Sequence, residues 1–165
     1  MNSTIIDNIN RDVMPDDTLF ILGDILFGNK QYLPAAMNRF NCKNIYLIYG
    51  NHDMYIESNE EYKALFKGCY DNLHLRIKDD EKHTEIILSH YAHRVWMGSH
   101  KGFIHLYGHS HNSIPDFGKS MDVGVDAIFA KTGEYAAISY DEILRIMKDI
   151  KVEFVDHHNK NTSMF

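Results

Sequence analysis

Four places in the chain put carboxylate, amide or imidazole side chains directly after an apolar run: Gly23-Asp24, Gly50-Asn51-His52-Asp53, Ser89-His90-Tyr91 and Gly108-His109-Ser110-His111. Carboxylate and amide oxygens mixed with imidazole nitrogens suit divalent ions such as Mn, Fe, Zn or Ni. One Gly-His-x-His alone is weak evidence, because short motifs recur by chance. Four motifs in order, each at the end of an apolar run, form the signature of a metal site.

The runs ahead of the motifs are 18–22, 44–49, 85–88 and 103–107, short and β-rich, and they read as buried strands, three of them closed by a glycine. In open α/β sheets ligands sit beyond the carboxyl ends of the strands, which is where these polar groups fall. Between the strands, Ile5, Ile6, Ile9 and Val13 mark an amphipathic helix over 4–13 that stops before Pro15. Leu33, Ala36, Met37 and Phe40 predict a helix over 31–40 with Pro34 in its first turn, which makes a right-handed crossover between parallel strands. A short helix is expected at 60–66. A hairpin pairs 73–77 with 83–88 around the charged turn 78–82, and 91–97 forms a rim loop. A strand is expected at 120–125. Ser139 and Glu142 then form a capping box ahead of a closing helix that carries Ile143, Ile146, Met147 and Ile150. The class is α/β, with one domain over 1–155 and a polar tail over 156–165.

The ordered motifs resemble the calcineurin-like metallophosphoesterases of small bacterial and phage type. The likeness runs from about Thr18 to Asp126, and Pro15-Asp16-Asp17-Thr18 and Asp122-Val123-Gly124-Val125-Asp126 share it. It implies a β-sandwich flanked by helices and a pair of metal ions bridged by Asp24. Asn51, His90 and His109 would complete one site, and His111 with Asp24 would begin the other. That other site takes its remaining ligands from an Asp-x-His on the family's opening strand, and no such triplet precedes Gly23. Either the protein lacks one strand and half a metal site, or the chain is a shortened form. His93 and Asp122 remain as candidate replacements. One ion rather than two is the expected loading, Mn²⁺ first, with Fe, Zn or Ni open.

The resemblance also implies chemistry: hydrolysis of small phosphodiesters or phosphomonoesters, with His52 as general acid and Asp53 accepting its other ring proton. The alternative is a weakly active or non-catalytic binding protein on the same fold, motivated by the incomplete site. A missing strand would leave an open edge and favour a homo-oligomer.

Composition narrows the partners. A chain of 165 residues, 44% hydrophobic and 24% charged, is long enough for one substantial core. No apolar run reaches the length of a membrane span, and Met1-Asn2-Ser3-Thr4 has no secretory character, so a cytoplasmic protein without membrane partners is expected. Two cysteines, Cys42 and Cys69, make no disulfide framework. A net charge of −6 disfavours sequence-independent binding of long nucleic acid. A small nucleotide or other phosphoester stays compatible, because bound metal supplies positive charge locally. His93, Arg94, His100 and His105 read as packed or solvated residues. Tyr91, Trp96, Phe103 and Tyr107 are left open between pocket and core.

Overall fold

The computed structural model describes residues 3–79 and 82–155, so the expected turn residues 80–81 and tail 156–165 lie outside it. Two sheets organise the chain. The first is parallel, with order β1 (Thr18–Ile21), β2 (Asn44–Ile48) and β3 (Gly68–Tyr70). The second has the order β4 (Asn72–Asp79), β5 (Lys82–Ser89), β6 (Ile104–Tyr107) and β7 (Ser120–Asp122). Its β4–β5 hairpin is antiparallel, and β5–β6 and β6–β7 are parallel.

Parallel neighbours need a crossover, and between β1 and β2 a 3-10 turn at Lys30–Tyr32 leads into α2 (Leu33–Asn38), with Pro34 in its first turn. The helix α1 (Ser3–Asp12) turns Ile6 and Ile9 inward, where they join Leu19, Leu33, Phe40, Ile45 and Leu47 in one core. On the opposite face of β2, Ile48 packs with Ile86, Leu88, Leu106 and Met121 of the second sheet, and with Ile143 and Met147 of α6 (Tyr140–Met147). With apolar layers on both faces, β1 and β2 read as continuous apolar runs rather than alternating ones. Ser139 caps α6 as its sequence predicts, accepting the Glu142 amide at 3.2 Å. The chain is thus a mixed α/β protein, and no described helix is long and apolar enough to cross a membrane.

The strand expected over 120–125 is shorter. Asp122 Oδ1 accepts the Gly124 amide at 2.8 Å, which turns the chain, and Val125 opens α5 (Val125–Thr132) instead of extending β7. Two short elements, α3 (Met54–Glu57) and β3, carry too little periodicity to be read, and the helix expected over 60–66 is one turn, α4 (Glu60–Lys63).

On the far side of the second sheet His105 is wholly buried, as a packed histidine should be. Its Nδ1–H donates to Ile87 O and its Nε2 accepts from the His93 amide, both at 3.1 Å, so only the neutral ring satisfies both partners. Burial pushes its pKa from 6.5 down to about 4. The unfolded chain therefore takes up the proton first, and stability present above pH 6.5 is lost as pH falls toward 4. The loss amounts to up to about 3 kcal/mol. Melting temperatures between pH 7 and 4.5 should fall steeply for the native chain and less steeply for His105→Phe. Equal slopes would remove His105 as the cause.

Candidate metal centre

Each motif follows the carboxyl end of a strand, and the turns there are unusually tight. Gly23 and Asp24 both adopt left-handed backbone, at φ 90° and 56°. A Cβ on Gly50 would stand 2.2 Å from Asp24 Oδ1 and 2.6 Å from Asp24 N, and one on Gly23 would stand 2.3 Å from His90 Nδ1. The loops after β1 and β2 therefore touch backbone to backbone, which only glycine permits at these two positions. Gly50→Ala should force Asp24 aside, costing about 1–3 kcal/mol of stability as an overpacked contact does, and weakening metal binding with it. Thermal denaturation with and without Mn²⁺ checks this, and a variant still stabilised by Mn²⁺ as strongly as the native chain would contradict it.

The side chains released from these turns converge. His90, only 2% exposed, lies with Nε2 3.1 Å from Asn51 Oδ1, 3.1 Å from His109 Nδ1 and 3.4 Å from Asp24 Oδ2. Its Nδ1 sits 2.7 Å from Leu22 O, an acceptor, so Nδ1 carries a proton and Nε2 is the ring nitrogen left to offer a lone pair toward the other three. Asn51 Oδ1, His109 Nδ1 and Asp24 Oδ2 thus all lie within 3.4 Å of His90 Nε2, atoms that can each offer a lone pair to a cation. Asp24, His90 and His109 meet the geometry of a metal-holding group, their ligand atoms all within 4.8 Å of one another. The donor set of one carboxylate, one amide oxygen and two imidazoles fits a divalent ion.

Asp53 behaves differently from its expected role. Fully buried, it accepts the amides of Gly50 and Asp24 with Oδ2, at 2.9 and 2.7 Å, and does not receive a proton from the His52 ring. In the tight turn adjacent side chains diverge, so the carboxylate points under the two loops and clamps them together. Burial raises its pKa, although the two backbone N–H groups pull the other way. Its Oδ1 has no hydrogen-bond partner among the described residues. His52 projects outward, with its amide bonded to Asp24 Oδ1 at 2.9 Å and its ring edge-on to Phe27 at 5.0 Å between centroids.

His111, expected in the other site, stands apart from this group: its Nδ1 lies 2.5 Å from Asp126 Oδ2, an exposed pair at the start of α5. The proposed replacements are spoken for. Asp122 accepts the amides of Asn112 and Gly124, bracing the histidine loop from below, and the His93 ring stacks on His105 at 4.8 Å. Arg94 lies over the Phe117 ring rather than at the centre. The chain does hold one triplet of Asp-x-His form, Asp156-His157-His158, outside the described residues.

Of the four aromatics left open, only Tyr91 reaches the centre, at 4.6 Å from the His109 ring and 5.0 Å from that of His90. Trp96 donates to Phe103 O and Tyr107 to Asp116, which makes them packing residues. Sequence reasoning assigned no role to two residues beside the centre. Phe27 sits in an aperiodic stretch, and Asp126, just past the strand expected over 120–125, was named in the likeness but given no role. His109, His111 and Asn112 are all left-handed, at φ 58°, 47° and 60°, a rarity for residues with a Cβ that concentrates at functional sites.

No protein-family model matches this chain, and no curated protein matches it. Among solved structures it is similar to that of a protein of unknown function from Aquifex aeolicus, with a TM-score of 0.57 and 22% identity over 86% of this chain and 82% of that one. A likeness at that identity speaks to the fold alone.

Proposed function

We propose that this protein is a metal-dependent phosphoesterase of the calcineurin-like kind, acting on small phosphodiesters or phosphomonoesters. The observation that carries the reading is the convergence of Asp24 Oδ2, Asn51 Oδ1, His90 Nε2 and His109 Nδ1 on one point, beside an outward-facing His52. These four would hold a divalent ion, Mn²⁺ first, with Fe, Zn or Ni also suited. When bound, such an ion neutralises the phosphoryl oxygens and activates water at neutral pH. The residues of the chain supply the rest. Leu22 O fixes the His90 tautomer, and Asp53 locks the Asp24 and Gly50 turns so that the ligands are held before any ion arrives. His52 is exposed, so it can exchange its proton with solvent and deliver it to a leaving-group oxygen. His111, oriented by Asp126, faces the open side, where a second ion would need ligands from elsewhere; one ion per chain is the proposed loading.

The test is Mn²⁺-dependent hydrolysis of bis(p-nitrophenyl) phosphate and p-nitrophenyl phosphate, with metal content measured in parallel. Turnover that EDTA abolishes and Mn²⁺ restores is the expected result. A chain that takes up one Mn²⁺ tightly yet hydrolyses neither ester would instead be a metal-binding protein.

A further inference from the structure

A cavity of about 460 Å³ opens beside the centre. Asp24, His90, His109, His111 and Asp126 line part of it, and every other described lining side chain is apolar or glycine, among them Ile5, Ile9, Leu19, Ile21 and Phe40. No lysine, arginine, serine, threonine, asparagine or glutamine stands among them. Away from the metal-holding group, a sugar or nucleobase placed there would find only the His111–Asp126 pair at the mouth for its hydroxyls and amines, with no polar side chain among the apolar residues beyond it, and unpaired polar groups are costly to bury. An apolar group meets no such penalty, and a volume of this size holds a one- or two-ring system. Phe27 is the common wall. It is 60% exposed, lines the cavity, and touches the ring of His52, the residue placed to protonate a leaving group.

We propose that the cavity receives the apolar, aryl-type alcohol portion of the ester, seated against Phe27 with its phosphoryl group at the Asp24–His109 cluster. The identity of the head group rests on the phosphoesterase reading above. In the reaction, water forms a bond to phosphorus and the bond from phosphorus to the aryl oxygen breaks. That oxygen takes the His52 proton, so that ester and water become phosphate and alcohol, and the proton released by water restores His52 through solvent.

Binding to the full chain loaded with Mn²⁺ separates the two readings. Three non-hydrolysable probes are compared by calorimetry: 1-naphthylmethylphosphonate, methylphosphonate and the phosphonate analogue of thymidine 5′-monophosphate, in which a carbon replaces the ester oxygen. The naphthyl compound should bind about 10- to 100-fold more tightly than methylphosphonate, as burial of a bicyclic ring predicts. Phe27→Ala, a change at an exposed position that should leave folding intact, and Ala137→Leu, which fills the cavity wall, should each bring that ratio below about 3-fold. Methylphosphonate affinity should stay constant in both. Equal affinity for the naphthyl and methyl probes, an equally tight thymidine probe, or a ratio that neither variant moves would overturn the proposal. Hydrolysis of 1-naphthyl phosphate is followed alongside. A ring-size preference in binding without hydrolysis sinks the phosphoesterase reading and leaves the cavity assignment standing; hydrolysis without a size preference does the reverse.

Discussion

His90→Ala is expected to weaken Mn²⁺ binding by more than about 100-fold, beyond the 10- to 100-fold typical of losing an outer partner of a ligand. The ring is the hub of the cluster, 3.1 Å from both Asn51 and His109, and its Nδ1 proton is held by a 2.7 Å bond to the Leu22 carbonyl. Two comparisons give the result its meaning. Asp53→Asn keeps all four lone-pair atoms but loosens the clamp on the Gly50 and Asp24 amides, so it should fall within the 10- to 100-fold range. His111→Ala should change affinity by less than about 3-fold, because that ring is engaged with Asp126. Titration by calorimetry or by the Mn²⁺ electron spin signal reads all three, with circular dichroism to verify folding. An unchanged affinity in His90→Ala would remove the cluster as the binding site.

The second large effect is catalytic. His52→Ala should lower kcat about 10²- to 10⁴-fold, the usual contribution of a general acid, while Mn²⁺ content stays constant. The separation follows from geometry. The backbone amide of His52, not its ring, bonds Asp24 Oδ1, and alanine keeps that amide. The deficit should be greatest for esters of weakly acidic alcohols, which need the proton, and small for p-nitrophenyl esters, which leave without it. A uniform loss across both kinds of ester would assign the proton to another donor.

The strand ends and their polar residues were readable because glycine turns after buried parallel strands leave a local mark: an apolar run, a glycine, then hydrophiles. The partnership of Asp24, Asn51, His90 and His109 needed more, since their separation along the chain says nothing of distance; the resemblance that the ordered motifs carry supplied it as an expectation. What stayed hidden depends on side-chain direction. The resemblance implied that Asp53 pairs with the His52 ring, yet its Oδ2 serves amides from two loops. Asp126 was named without a role because Val123-Gly124-Val125 reads as strand until the Asp122–Gly124 bond turns it and brings the start of α5 to His111. Phe27 had no periodicity to show which way it faced.

The left-handed backbone at Asp24, His109 and His111 has a consequence for how such a protein changes under selection. Residues with a Cβ are held there at a cost of about 1 kcal/mol or more each, and glycine would relieve it. A population screened for heat resistance alone, in metal-free medium, would drift toward glycine at these three positions, and its hardiest members would be those that had lost the ion. Only when the ion is present and its binding contributes to survival does the strained, ligand-bearing sequence become the fitter one.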